Sequence, residues 1–86
     1  MTDKTPMDIR ATVNKIVSEH LGVPQDKIKD DSDLVNDLGA DSLDLIELVM
    51  AGEEAFDIEI SEEEADKLTT VSSIVDLVVV KTTQKV

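Results

Sequence analysis

Apolar residues recur at intervals of three and four along much of this chain, which is the spacing of one face of an α-helix. The stretches with this spacing are Ile9–Val13–Ile16–Val17 with His20 at its end, Ser42 to about Phe56, and Val71–Ile74–Val75–Val78. The final "VVVK" is β-branched and could form a strand, but the chain has no second strand-like segment to pair with it. The pattern therefore predicts an all-α fold.

Capping signals divide the chain into four helices. The start signals are Thr5–Pro6 with Asp8, Asp41 or Ser42, Ser61 with Glu64 in a capping box, and Thr70. Gly22 and Pro24 end the first helix. We therefore predict a small four-helix bundle with three longer helices and one short helix, the third.

A long connection from Val23 to Leu38 joins the first two helices. Such a loop fits a compact domain only if its apolar residues pack on the core, and these are Val23, Ile28, Leu34 and Leu38. Ser32 and Asp33 could cap a single turn inside it. No repeat, low-complexity tract or internal boundary is visible, so residues 1–86 are interpreted as one domain.

The chain is strongly acidic, with 8 Lys and Arg against 20 Asp and Glu and a net charge of -12. Phosphates would be repelled by this charge, so neither nucleic acid nor an anionic membrane is expected as a partner. Basic protein surfaces are favoured instead. The longest apolar runs are far shorter than a membrane span, and the first residues lack the apolar core of a signal peptide. We expect a cytoplasmic monomer without membrane insertion.

One serine, Ser42, stands near two aspartates at the predicted start of the second helix. A nucleophilic serine needs a base within hydrogen-bond reach, usually histidine. The single histidine, His20, falls at the end of the first helix, where the negative end of the helix dipole favours it. The chain also has no cysteine. We therefore do not expect an enzyme.

The acidic stretch "DDSDLVNDLGAD" suggests calcium but does not follow the EF-hand pattern. Counted from Asp31, the sixth position is Asn36 rather than glycine, and the twelfth is Ser42 rather than glutamate. No dedicated metal site is expected. Loose binding of divalent cations to the clustered carboxylates remains open.

The second helix has two contrasting faces. The inward face contains Leu45, Leu48, Val49, Gly52, Ala55 and Phe56. The opposite face contains Leu43, Ile46 and Met50 among Glu47, Glu53 and Glu54. A small apolar patch rimmed by carboxylates is typical of a transient docking surface. The alternative is that Leu43 or Ile46 packs on the long loop.

The stretch "LGADSLDLIELVMA" resembles the attachment motif of acyl carrier proteins, the discrete carriers of dissociated fatty acid synthesis. The likeness continues through "EEAFDIEISEEEADKLTTV" and covers the four-helix layout of nearly the whole chain. It implies a covalent 4'-phosphopantetheine on Ser42, attached by a holo-carrier-protein synthase (a phosphopantetheinyl transferase). The arm would supply the thiol for acyl thioesters that the chain itself lacks.

The same resemblance implies two sets of contacts. Fatty acid synthesis enzymes and acyltransferases would dock on Asp41, Leu43, Asp44, Ile46, Glu47, Met50 and Glu54. The growing acyl chain would be sheltered among Val49, Phe56, Ile60, Ala65, Leu68 and Ile74.

Two alternatives stay open. The chain could be a carrier for a specialised acyl group or for a polyketide or peptidyl pathway, although the string from Leu38 to Leu43 favours the fatty-acid type. It could also be an acidic interaction module that uses Ser42 only as a helix cap.

Gly52 departs from the resemblance, because acyl carriers commonly have leucine or another apolar residue there. The tail "VVVKTTQKV", which is more β-branched and less polar than is usual in these carriers, is a second departure. Gly52 is either a tolerated weakness, which we favour from the sequence, or room for an acyl chain or a local bend. A positive φ at this position would be a further possibility.

Overall fold

The computed structural model describes residues 6–84, and the side chains of residues 8–82. Four helices follow one another: α1 Pro6–Leu21, α2 Ser42–Phe56, α3 Glu62–Asp66 and α4 Val71–Gln84. A three-residue 3₁₀ turn, Gln25–Lys27, lies between α1 and α2. Within this range there is no strand, only an isolated antiparallel bridge between Asp33 and Thr70. The predicted all-α fold, with three longer helices and one short helix, is confirmed.

The predicted helix boundaries follow from local hydrogen bonds. Ser61 and Glu64 form the expected capping box at the start of α3. At α4, the backbone N–H of Ser73 donates to Thr70 Oγ1 over 3.2 Å, as expected for an N-cap. Gly22 ends α1 with a φ of +67°, a conformation that favours glycine, and its N–H donates to the Ser18 carbonyl. The predicted N-cap Thr5 lies outside the described residues.

The core is formed by one apolar face from each of the three longer helices. α1 packs against both α2 and α4. The buried apolar side chains are Ile9, Val13 and Val17 of α1, Leu48 and Phe56 of α2, and Val71, Val75 and Val78 of α4. The β-branched stretch "VVVK" therefore lies within α4, because burial of the apolar face of this helix outweighs the modest helix propensity of valine.

The long connection packs as the prediction required. Ile28 and Leu34 are buried, and Val23 and Leu38 pack against the core. The connection is also hydrogen-bonded to the residues before and at the start of α4, because Leu34 N–H donates to the Thr69 carbonyl over 2.9 Å. The 3₁₀ turn inside it was not predicted, since three polar residues have no periodicity to detect.

Three side chains lie elsewhere than the helical periodicity indicates. Ala55 was expected on the core face of α2 and is exposed. Glu53 was expected among the outward carboxylates, but it is half-buried and its Oε2 accepts the N–H of Ile60 over 2.9 Å. His20 continues the apolar spacing of α1 and is nevertheless exposed. Helical periodicity predicts only the direction in which each side chain leaves its own helix. It does not show where the neighbouring elements end or turn back, and these decide which side chains are covered.

No helix within residues 6–84 is long and apolar enough to cross a bilayer.

Candidate functional site

Ser42 is the first residue of α2, and the residues before it determine where its side chain lies. Ala40 is buried, and its N–H donates to the Leu34 carbonyl over 2.8 Å. Asp41 is the N-cap: its Oδ1 accepts from Asp44 N–H over 2.9 Å, and Asp44 Oδ2 accepts from Asp41 N–H over 3.1 Å. The chain is thus held on both sides of Ser42, which is itself exposed.

The hydroxyl of Ser42 has no hydrogen-bond partner among the described side chains. His20 is engaged elsewhere, since its Nδ1 lies 4.0 Å from Glu47 Oε1. These two residues line a different groove from the one beside Ser42. The structure therefore leaves Ser42 accessible and places no base among the described side chains within hydrogen-bond reach of its hydroxyl.

An open groove of about 710 Å³ begins at Ser42. Its walls are α2, the connection before α2, and α3 with its flanking residues. The lining residues contributed by α2 are Ser42, Leu45, Ile46, Val49 and Met50. Val35 lines the opposite side and is 50% exposed. No role was predicted for Val35, although an apolar residue amid the acidic stretch was a usable signal.

Five of the six candidate cavity residues line one common space. Val49, Ile60, Ala65, Leu68 and Ile74 surround a cavity of about 30 Å³ between α2, α3 and α4. All but Ile74 also line the groove beside Ser42, so the cavity adjoins that groove.

The sixth candidate, Phe56, lies apart from the others. It lines a smaller gap of about 10 Å³ on the α1 side of α2. The two spaces share Leu48, Gly52 and Ile74 among their lining residues. The sequence pattern placed Gly52 on the inward face of α2 but gave no indication that this residue borders two separate spaces.

The outward face of α2 carries three large exposed apolar side chains. Leu43 is 62% exposed, Ile46 56% and Met50 61%. The alternative was that Leu43 or Ile46 packs on the long loop. Ile46 does share a groove with Val35 of that loop, but neither side chain is buried there. Glu47 and Glu54 are exposed on the same helix, so the predicted apolar patch does have carboxylates beside it.

A shallow groove of about 530 Å³ extends this face towards α1. It is lined by Met50, Glu47 and Glu54 of α2 together with Ile16 and Glu19 of α1. Glu19 adds a carboxylate from α1 to this face, which the sequence of α2 by itself does not indicate. Asp44, in contrast, is half-buried and its carboxylate is already engaged in capping α2.

One carboxyl group in the connection before α2 and one in α3 have lowered pKa values. The backbone N–H of Asn36, helped by that of Val35, holds the pKa of the Asp33 carboxyl below its usual 3.8. The hydrogen bond from Lys81, 2.8 Å away, and that from Ser61 N–H hold the pKa of Glu64 below 4.5. Both groups therefore stay ionised at neutral pH. Among the described residues, no three histidine or carboxylate side chains are grouped to hold a metal ion.

These features define a class of protein. A small helical domain that presents an accessible serine at a helix start, beside an apolar cavity and an exposed apolar patch with carboxylates, is suited to carrying a covalently attached group. The family model described as phosphopantetheine attachment site matches residues 11–78, well over half of the chain. The chain belongs to this family of carrier domains.

Membership in this family establishes the prosthetic group and the general role. The group is 4'-phosphopantetheine, held covalently. Carrier domains of this kind are not themselves catalysts, and they interact with a phosphopantetheinyl transferase and with acyl-handling enzymes. The match spans the chain from within α1 to within α4 and includes the segment around Ser42.

Proposed function

We propose that this protein is an acyl carrier protein of fatty acid synthesis, a single domain over residues 1–86 with 4'-phosphopantetheine on Ser42 Oγ. The observation that carries the proposal is the exposed Ser42 hydroxyl at the start of α2, without a hydrogen-bond partner among the described side chains. The family match supports the prosthetic group. The string "LGADSL" from Leu38 to Leu43 supports the fatty-acid type.

The residues around Ser42 fit a covalently attached phosphate. Ser42 is exposed, and the Asp41–Asp44 capping box and the buried Ala40 hold the helix start in place. A transferase can therefore reach the hydroxyl without a conformational change in this protein. The positive end of α2 favours a phosphate. The Asp41 and Asp44 carboxylates oppose that effect, and Asp44 N–H is already bonded to Asp41.

Cargo attachment needs a thiol, and the chain has no cysteine. When bound, the prosthetic group supplies that thiol for a thioester. The protein's contribution is to shelter the cargo: the groove at Ser42 leads to the cavity lined by Val49, Ile60, Ala65, Leu68 and Ile74. Burial of an acyl chain against such side chains is favourable by about 0.8 kcal/mol for each methylene removed from water.

Partner enzymes dock, in this proposal, on the outward face of α2. Leu43, Ile46 and Met50 offer a small apolar contact, and Glu47 and Glu54 attract lysine and arginine on the partner. Asp41 and Asp44 belong to the same end of the helix, but both also cap it. Their substitution would therefore affect folding as well as docking.

Intact mass spectrometry tests the attachment site. Incubation with coenzyme A and a phosphopantetheinyl transferase should add one phosphopantetheine to the wild type and none to Ser42→Ala. Ser61→Ala is the matched control, because Ser61 is also exposed and lines the same groove, and it should be modified. An unmodified wild type, or modification of Ser42→Ala, would contradict the proposal.

A second assay addresses the pathway. The loaded protein should serve as acyl donor for the condensing, reducing and dehydrating enzymes of fatty acid synthesis. A carrier for a polyketide, peptidyl or other specialised acyl pathway would gain the same mass but would be a poor substrate for these enzymes. An acidic interaction module would gain no mass at all.

A further inference from the structure

Gly52 lies in the middle of α2, and the backbone does not require a glycine there. Its φ is not positive, unlike those of Gly22 and Gly39, so the possibility of a left-handed conformation is wrong. A glycine inside a helix destabilises it relative to alanine. Gly52 is also buried. The reason for a residue without a side chain must therefore be sought in the space around it.

Two apolar spaces meet at Gly52. The cavity between α2, α3 and α4 and the smaller gap towards α1 are both lined by Leu48, Gly52 and Ile74. A Cβ atom placed on Gly52 would contact nothing within 4 Å. The position is thus open, and a larger side chain there would fill space that borders both the cavity and the gap.

Any occupant of the space beside Gly52 must be apolar. The far gap is bounded by Val13, Ile16 and Val17 of α1 and by Phe56 of α2. A buried water needs two to four polar partners, and none of these side chains offers one. The near cavity adjoins the groove at Ser42 through Leu45 and Val49 among others. A hydrocarbon chain attached near Ser42 is the one apolar group that could follow this route.

We propose that the absence of a side chain at Gly52 extends the acyl cavity towards α1, so that the methyl end of a long saturated acyl chain passes Gly52 and lies against Val13, Val17 and Phe56. The inference rests on the proposed function. It adds a second subsite for long chains and makes Gly52 the residue that determines how deep the cargo enters. Both spaces are small without cargo, about 30 and 10 Å³, so the surrounding side chains must move apart as the chain enters.

The test uses the full chain loaded with butanoyl, octanoyl, dodecanoyl and hexadecanoyl phosphopantetheine, and compares wild type with Gly52→Leu. The melting temperature of each acylated form is measured relative to its unacylated form. For wild type the gain should keep rising to the longest chain. For Gly52→Leu it should level off at least one member earlier, because leucine fills the space beside residue 52, while the butanoyl forms of the two proteins gain equally.

Ala55→Leu is the matched control, because it adds a similar side chain at an exposed position of the same helix. Its series should follow that of wild type. Coincident series for wild type and Gly52→Leu would overturn the inference, as would a control that levels off early.

A measurement on wild type alone guards against misfolding of Gly52→Leu. With a ¹³C label on the terminal methyl of the hexadecanoyl chain, nuclear Overhauser effects should connect that methyl to Val13, Val17 or Phe56. Contacts confined to Ile60, Ala65 and Leu68 would contradict the second subsite. Intact mass separates the two proposals: failure to load Ser42 refutes the function, whereas successful loading without these contacts refutes only the role of Gly52.

Discussion

Replacing Ser61 by alanine should loosen α3 without unfolding the bundle. α3 has five residues and buries none of them completely, and helices this short do not persist in water unaided. Its start depends on reciprocal bonds: Ser61 Oγ accepts from Glu64 N–H over 3.1 Å, and Ser61 N–H donates to Glu64 Oε1 over 3.0 Å. The substitution removes the first bond and leaves the Glu64 N–H without its partner.

The size of the effect follows from this lost cap. Removing an N-cap hydroxyl costs about 1 kcal/mol, within a range of about 0.5–2. At about 1.4 kcal/mol for each factor of ten, the open population of α3 should rise about fivefold. Amide hydrogen exchange of Ala65, Lys67 and Leu68, whose N–H groups bond within this turn, should accelerate by that factor. Exchange at the buried Val13 and Val75 should change little if α3 opens independently of the core.

The assay is amide hydrogen exchange followed by NMR, under conditions where the rate reports the equilibrium open population. Ser61→Thr keeps a hydroxyl acceptor at the N-cap and should exchange nearly as the wild type does. The reasoning fails if Ser61→Ala accelerates exchange equally throughout the chain, or leaves the amides of α3 unchanged.

Three further outcomes are expected. Reversing Glu47 and Glu54 to lysine should slow association with the phosphopantetheinyl transferase and make the association rate less dependent on salt, whereas Met50→Ala should weaken binding and keep the wild-type salt dependence. Surface plasmon resonance at several salt concentrations measures both. An equal salt dependence for wild type and the double lysine variant would contradict the docking face. Since folding lowers the pKa of Glu64 below 4.5, its ionised form stabilises the fold above that pH, and this contribution is lost as pH falls through the lowered pKa. The melting temperature of wild type should therefore exceed that of Glu64→Gln at neutral pH, and the difference should become smaller in acid. A difference that does not change with pH would refute this role of Glu64. Leu34→Ala should cost about 2–5 kcal/mol in urea denaturation, because Leu34 is only 1% exposed, and a loss under 1 kcal/mol would mean that the connection is not part of the core.

The sequence alone determined the four α-helices and, for α3 and α4, the residue before which each begins. The cap at Ser61 and the one at Thr70 join groups no more than three residues apart, so they can be recognised from a short window of the chain. The apolar spacing of α1 and α4 likewise predicted the buried faces of these helices. Ser42 could be singled out for the same reason, since its place at a helix start depends on its immediate neighbours.

Tertiary structure decided which spaces remain between those helices. The exposure of Ala55 and the bond from Ile60 to Glu53 depend on where neighbouring elements end and turn back, which no helical wheel contains. The open position at Gly52 is the clearest case, because the side chains around it, such as Val13, Leu48 and Ile74, come from three helices that are far apart in sequence. A glycine in the sequence shows only that a side chain is missing. Whether its absence leaves an open space is decided by how closely those three helices pack around it.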